Sequence, residues 1–350
     1  MFNVESPSEI ICKVMSLLLC SIPLLPNITN LIIELPRQRS SFFTPLLQTI
    51  ASSPLPRRLQ KLRLYGHARM IASLINYSTH YTPFENLTEL DLSLGYRDDL
   101  GIFENDSQIS LSQPDLSLSL VPILRSVAPT LRRLHFSNWL GTLDLFDLFN
   151  NLNQSDSSLP LPNLQSLFIS VSIAAVSIPQ YSLQSLDRFL IAHSNNLLHL
   201  HLTHILPPSH PVVNELLGAW LTKLVNSNIQ FPSLQTLQLH PPTSKKGISA
   251  LMTLIKRTAA TLSSLIIPSH YLASEEIDQL LDELTTTEGS SKLKILEMSI
   301  THLSVSFLDL LARRLPQLES LILDVTEIVD SDPVTIFLFQ RLSIHSFFFA

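Results

Sequence analysis

The chain has 350 residues, of which 45% are hydrophobic and 15% are charged, and its formal net charge is −6. This length allows two ordinary domains or one elongated array, with enough apolar residues for a continuous core. The slightly acidic balance and the small number of glycines (seven) predict no nucleic-acid interface and no glycine-rich phosphate loop, which need clustered basic residues and clustered glycines respectively.

Residues 1–27 are expected to form an N-terminal helix. Ile10–Leu25 is the most apolar stretch, but it is shorter than the ~20 residues of a membrane span and two glutamates precede it, where a signal peptide has basic residues. Cys12 and Cys20 would lie ~12 Å apart on one helix, too far for a disulfide. We therefore expect no membrane contact and a reducing compartment, cytoplasmic or nuclear. Five Asn-x-Ser/Thr matches favour the alternative of secretion.

A six-residue motif with apolar residues at its first, fourth and sixth positions recurs along the chain, as in Leu164-Gln-Ser-Leu167-Phe-Ile169. We call it the leucine motif. It begins at residues 28, 59, 87, 131, 164, 197, 234, 262, 293, 318 and 339. Because successive side chains of a strand point to opposite faces, the apolar positions would face one interior, and the positions between them an open surface.

The segments between the motifs predict helices. Ser274 is a suitable N-cap, followed by Glu275 and Glu276 in the first turn and by an apolar stripe. Ser306–Leu315 has a similar stripe, with two arginines in the last turn, where cations suit the helix dipole. Alternating short strands and helices at this spacing predict an α/β fold with a parallel sheet covered by helices.

The leucine motif resembles the leucine-rich repeat, over almost the whole chain. Its irregular spacing and the absence of disulfide caps are most similar to fungal cytoplasmic leucine-rich repeat proteins, many of which are F-box proteins. The resemblance implies a curved horseshoe solenoid of about eleven repeats over residues 28–350, with the parallel sheet on the concave face and helices on the convex face. Residues 95–115 interrupt the array as an acidic insertion of net charge −4.

The segment Ser6–Met15, which contains Pro7-Ser-Glu9-Ile10, is similar to the opening helix of an F-box. In that family the F-box docks the chain to a Skp-cullin ubiquitin ligase. The first leucine motif begins by Ile28, which leaves no room for the other helices, so the F-box is expected to be truncated or absent. Residues 1–27 are then either a remnant that contacts a Skp-type adaptor or a capping helix of the array.

The positions between the leucines predict a polar, charged and aromatic surface on repeats two to seven. Lys61 beside Glu89 and Arg63 beside Asp91 predict ion pairs that keep this surface soluble, rather than a catalytic acid–base pair. Hydroxyl side chains are expected to form a further row on it. They belong to Ser93, Ser137, Ser170 and Thr203.

We expect this surface to bind a partner protein, with Phe168 as the aromatic anchor. His199 and His201 lie two apart on one strand and allow a zinc site, but few ligands surround them, so a recognition patch is favoured, without metal or cofactor. No serine lies in a nucleophile turn, so no enzyme is predicted. The expected binding residues are Arg63, Asp91, Arg133, His135, Phe168, His199 and His201.

The function implied is therefore a protein–protein interaction scaffold, as a possible substrate-recognition component of a Skp-cullin-F-box ubiquitin ligase. Two alternatives stay open. A GTPase-activating leucine-rich repeat protein would use an exposed Arg or Asn near one edge of the array. A degenerate repeat protein without a specific partner would fit the apolar end Phe347–Phe349, where a finished array usually has a polar cap.

Overall fold

A computed structural model describes residues 21, 27–34, 50, 53–66, 71, 84–94, 116–138, 145–153, 160–171, 182–204, 211–240, 244–285 and 291–329. The chain falls into two compact units. The first unit is Met1–Ala174 with Tyr181–His193, and the second unit is Ala175–Gln180 with Ser194–Ala350. Apart from Ser21 and Asn27, the predicted N-terminal helix lies outside the described residues, as do the acidic insertion and the motif at residue 339.

In the first unit, the described residues form five strands and four helices. Strands β1 to β5 pair with their neighbours in chain order, and all pairs are parallel. Such pairs need a crossover between strands, and a described helix lies in the crossovers from β1 to β2, from β3 to β4 and from β4 to β5. The elements are β1 (Asn30–Glu34), α1 (Leu55–Arg58), β2 (Lys61–Gly66), β3 (Glu89–Leu94), α2 (Leu116–Val127), β4 (Arg133–Asn138), α3 (Leu145–Asn153), β5 (Ser166–Val171) and α4 (Ser182–His193).

In the second unit, the described residues form five strands and four helices, and the strands again pair in parallel and in chain order. The predicted α/β class with a parallel sheet is therefore confirmed. The elements are β6 (His199–His204), α5 (Pro211–Asn226), β7 (Thr236–Leu239), α6 (Lys245–Thr258), β8 (Ser264–Leu272), α7 (Ser274–Leu284), β9 (Ile295–Leu303), α8 (Val305–Arg314) and β10 (Ser320–Ile328).

The leucine motif builds the core of both units. On β2, Leu62 and Leu64 are buried, whereas Lys61 and Arg63 are not, and β3, β4 and β9 follow the same alternation in their motif residues. In each unit the strands therefore have one face in the core and one face that we call the open face. In the first unit, α3 packs on the core face, where Phe149 meets Phe136 of β4 edge to face at 6.4 Å between ring centroids.

The start of most strands is fixed by a pair of backbone hydrogen bonds to the preceding strand start. The amides of Gln60 and Lys61 both donate to the carbonyl of Thr29, at 2.8 and 3.0 Å, and those of Thr88 and Glu89 both donate to Gln60, at 2.8 and 2.9 Å. The same pair recurs at the starts of β4, β5, β7, β8, β9 and β10. These bonds involve backbone groups only, so any residue except proline, which has no amide hydrogen, can form them.

The N-cap of α7 differs from the prediction. Ala273, not Ser274, is the capping residue, with extended backbone angles. Its side chain has no oxygen that could accept from the first helical amides, and its own amide donates to Oε2 of Glu276 at 3.0 Å. In α8 the cap is Ser304, whose Oγ accepts from the amide of Phe307 at 3.1 Å. Helix α7 therefore begins without the side-chain acceptor that α8 has.

The leucine motif is less buried on β10, the last described strand, than on β9. Leu296 on β9 is fully buried, but Leu321, which occupies the same motif position on β10, is 36% exposed. Among the described residues, no helix is long and apolar enough to cross a membrane.

Candidate functional site

Charged and aromatic residues of β2 to β5 form two rows across the open face of the first unit, because parallel strands in register place equal motif positions side by side. Residues of the fifth motif position form the central row, and residues of the third position form the outer row. The central row is Arg63, Asp91, His135 and Phe168 on β2 to β5, and the outer row is Lys61, Glu89 and Arg133 on β2 to β4.

Asp91 lies at the middle of the central row, between basic groups on both neighbouring strands. Nε of Arg63 lies 3.8 Å from its Oδ2, and the Tyr65 hydroxyl donates to the same oxygen at 3.5 Å. Nδ1 of His135 lies 3.1 Å from Oδ1, although Oδ1 accepts no well-aligned hydrogen bond within the described part of the chain. The Asp91 side chain is 16% exposed and that of Arg63 48%, so the carboxylate is the more desolvated partner.

Glu89 has the same position in the outer row. Its Oε1 lies 2.9 Å from Nζ of Lys61 on β2 and 3.6 Å from Nη1 of Arg133 on β4. Each row thus has one carboxylate on β3, flanked by a cation on β2 and a basic side chain on β4.

These ion pairs contribute little to the stability of the fold. Pairs between exposed side chains are worth about 0–1 kcal/mol, and the 3.8 and 3.6 Å distances to Arg63 and Arg133 exceed the ~2.7–2.9 Å of a strong charge-assisted hydrogen bond. Both guanidinium groups are more than a third exposed. They therefore keep N–H groups available for a partner, while the two carboxylates restrain their positions.

Phe168 ends the central row on β5. It is half-buried, whereas its neighbours Leu167 and Ile169 are in the core, so its ring belongs to the open face. The ring lies 5.7 Å from that of His135, tilted by 56°. Aromatic pairs at this distance contribute about 0.5–1.5 kcal/mol beyond burial, so His135 helps to orient the ring of Phe168.

The structure brings together five of the seven predicted binding residues in the first unit: Arg63, Asp91, Arg133, His135 and Phe168. His199 and His201 lie on β6 in the second unit. Nδ1 of His199 lies 3.0 Å from Oγ1 of Thr236, and Nδ1 of His201 lies 2.6 Å from Oε1 of Gln238. Both histidines thus have hydrogen-bond partners on β7. Among the described residues, no group of three or more His, Cys, Asp or Glu side chains could hold a metal ion.

Three further residues belong to the first-unit site, and the predicted binding set left them out. Lys61 and Glu89 were predicted as an ion pair only, and Tyr65, which directs its hydroxyl at Asp91, was given no role. The sequence indicates these residues by their spacing, because each lies two positions before or after a residue of the central row on the same strand.

The predicted hydroxyl row is only partly on the surface. Ser93 and Ser137 are buried, whereas Ser170 and Thr203 are partly exposed. The prediction assumed that every outward position of a strand faces solvent, but the ends of β3 and β4 are covered. The serine row is therefore no continuous binding surface.

One buried histidine of the first unit lies away from the open face. His193, at the end of α4, stacks on Phe189 at 4.1 Å, and its Nδ1 lies 2.7 Å from the Phe189 carbonyl. Desolvation by burial lowers the pKa of His193 below its usual 6.5, opposed by hydrogen bonding to the carbonyls of Phe189 and Leu161. The neutral imidazole is therefore the form that fits the core.

Comparison of the chain with protein-family models and with curated protein sequences finds no match.

Proposed function

We propose that the chain is a leucine-rich repeat protein. Two observations support this assignment. The leucine motif supplies the core residues of successive parallel strands, and the paired backbone hydrogen bonds recur at successive strand starts. A fold in which each strand–helix segment rests on the next is the arrangement expected of repeat proteins.

We further propose that the chain binds a partner protein through the central and outer rows. The observation that carries this proposal is the unbroken row Arg63–Asp91–His135–Phe168, in which restrained charges lead to an aromatic ring on the open face. Arginine and aromatic residues are enriched among the side chains that dominate binding energy. The partner would present carboxylates to Arg63 and Arg133, and an apolar side chain to Phe168.

Each residue of the site has a distinct part in this binding. Arg63 and Arg133 lie two strands apart, about 10 Å across the sheet, so they contact separate acidic groups. Asp91 and Glu89 hold the arginine side chains on the open face, which lowers the conformational entropy lost on binding. Phe168 supplies the apolar area, and His135 orients its ring.

The test is affinity capture with the tagged full-length chain, followed by mass spectrometry and by binding measurements with the purified partner. The variant Arg63→Ala/Phe168→Ala removes one charge and one ring from the central row. We expect it to weaken binding at least about a hundredfold, because two such residues together contribute roughly 3 kcal/mol or more.

The matched control is Arg57→Ala/Ile191→Ala. It removes an exposed arginine, which pairs with Glu85 at 3.4 Å, and an exposed isoleucine of α4, both outside the two rows. We expect full binding by this control. Equal binding by both double variants, each shown by circular dichroism to be folded, would contradict the assignment of the rows as the binding site.

We also propose that the chain connects its partner to a Skp-cullin ubiquitin ligase, and the same experiment tests this connection. That part of the proposal rests on the resemblance of Ser6–Met15 to an F-box helix, in a segment outside the described residues. Recovery of a Skp-type adaptor and a cullin with the full-length chain is expected if the segment binds the adaptor. A chain lacking residues 1–27 would then lose both proteins but keep the partner of the central row.

A further inference from the structure

The open face of the second unit has a different chemistry around Glu297 on β9. The register places Ile266 of β8 and Ile322 of β10 on either side of Glu297, and Ile295 precedes it by two residues on the same face. Ile295 is 40% exposed and Ile322 is 37% exposed. We call these four residues the Glu297 patch.

Glu297 is an acidic group that has no counter-charge among the described residues. Within the described part of the chain it has neither a hydrogen-bond donor nor a cation in contact, and its side chain is half-buried. Neighbouring carboxylates differ: Oε1 of Glu319 lies 2.6 Å from Nζ of Lys294, and Oδ2 of Asp324 accepts from Tyr271 at 3.0 Å and from Ser299 at 3.3 Å.

A carboxylate among exposed isoleucines is unfavourable in the free protein, and its surroundings indicate which groups of a partner would stabilise it. Ile266, Ile295 and Ile322 flank the half-buried Glu297, and no cation of the described residues contacts its carboxylate in place of water. The isoleucines also leave apolar area in contact with water. An apolar partner alone would cover the isoleucines but bury an unpaired charge, which costs more than it gains.

Lys and Arg side chains satisfy both requirements, because each has an aliphatic stem that packs on apolar surface and a cationic end. We propose that the Glu297 patch docks a Lys or Arg side chain carried on an apolar segment of a partner protein. The stem lies over Ile295 and Ile322, and the cation binds the Glu297 carboxylate.

This site is separate from the one under the proposed function. It lies in the other unit, shares no residue with the central or outer row, and prefers the opposite charge, since the first unit offers arginines and this patch offers a carboxylate. Either site can therefore fail a test while the other passes it.

The experiment is selection of a phage-displayed random dodecapeptide library on the immobilised full-length chain. The most enriched peptide is then synthesised with a fluorescent label, and its dissociation constant is measured by anisotropy. We expect enriched peptides to have a Lys or Arg next to apolar residues, and Lys→Gln or Arg→Gln in the peptide to weaken binding about tenfold or more.

The protein variants are Glu297→Gln and Ile322→Thr, with matched controls. Glu319→Gln removes an acidic charge from the segment before β10, and Val305→Thr replaces an exposed apolar residue of α8. We expect Glu297→Gln to weaken the selected peptide about tenfold and Ile322→Thr to weaken it measurably, while both controls bind as the parent does.

Any one of four results would overturn the inference, of which the first three concern the library and the Glu297→Gln variant. They are a library without enrichment, enriched peptides that lack Lys and Arg, and a selected peptide that binds Glu297→Gln as tightly as the parent chain. Peptides whose binding depends on Arg63 and Phe168 but not on Glu297 would also overturn it, and would leave the proposed function intact.

Discussion

At the scale of the residue, His193 links the first-unit core to pH. Its imidazole is fully buried against Phe189, and burial lowers its pKa in the folded chain. The unfolded chain takes up a proton on this group below pH ~6.5, whereas the folded chain does so only at lower pH. The stability that depends on neutral His193 is thus present above pH ~6.5 and is lost as the pH falls towards the folded pKa.

We therefore predict that part of the acid sensitivity of the protein disappears in His193→Gln. The free energy of unfolding in urea should fall between pH 7.5 and 5.0 in the parent chain, by at most about 1.4 kcal/mol per pH unit for this one proton. The fall should be smaller in the variant. His302→Gln, which removes an exposed imidazole that lies 3.4 Å from Glu327, is the control, and an equal reduction in both variants would refute the role of His193.

The sequence predicts where individual residues lie better than it predicts their surroundings. Motif position alone places Arg63, Asp91, His135 and Phe168 side by side, because register in a parallel sheet follows the buried leucines. The same rule cannot show that Ser93 and Ser137 are buried, since that depends on what covers the ends of their strands. The lack of a partner for Glu297 among the described residues is equally impossible to predict from the sequence, because it depends on which side chains reach across the sheet.

At the scale of the element, helices α7 and α8 differ in their N-terminal caps. Ser304 supplies α8 with a side-chain oxygen that accepts from the amide of Phe307. Ala273 has no such oxygen, and the start of α7 depends on Glu276 alone for a side-chain contact. The sequence-based prediction of the N-cap was wrong here because Ser274 has a preferred N-cap residue type but lies one position after the N-cap.

We predict opposite effects from adding a side-chain acceptor at the α7 cap and removing the one at the α8 cap. Ala273→Asp should raise the free energy of unfolding by about 0.5–2 kcal/mol, since Ala273 already has the extended backbone of an N-cap and aspartate supplies the missing acceptor. Ser304→Ala should lower it by a similar amount. Urea unfolding measures both, and a destabilising Ala273→Asp would show that the α7 start cannot accommodate an acceptor.

Strand length is the feature of the elements that the motif does not predict. The motif spans six residues, but β8, β9 and β10 each run for nine. The pairing of β8 with β9 shifts register between Ile267 and Tyr271, around Pro268, which has no amide hydrogen to donate to the ladder. Beyond this irregularity, Tyr271 faces Ser299, a pairing that no spacing of leucines indicates.

At the scale of the whole molecule, strand register is independent of the length of the chain between strands. Leu62 pairs with Leu90, and Leu90 with Leu134, although the second interval contains the acidic insertion and is much the longer. The paired backbone bonds occur at the starts of both β3 and β4, so the same register follows either interval. The class of fold was therefore predictable from the motif alone, despite its uneven spacing.

We accordingly predict that added residues are tolerated within 95–115 and not within a strand. A six-residue Gly-Ser linker inserted after Asp106 should change the free energy of unfolding by less than about 1 kcal/mol, because loop-closure entropy grows slowly with length. The same linker between Leu90 and Asp91 should unfold the first unit, since it separates the two halves of β3. Circular dichroism and urea unfolding would check both, and a large loss from the first insertion would contradict the independence of register.

The paired backbone bonds also bear on how such a chain changes over generations. In most of the described strands, a segment from one strand start to the next begins with two amides that donate to the carbonyl of the preceding strand start, and with a carbonyl that accepts from two amides of the following one. An in-frame duplication of that segment reproduces the paired bonds on both sides, and a deletion brings together two strand starts that can form the same bonds. The chain can thus gain or lose length in whole segments from one strand start to the next, while the side chains of the open faces change independently.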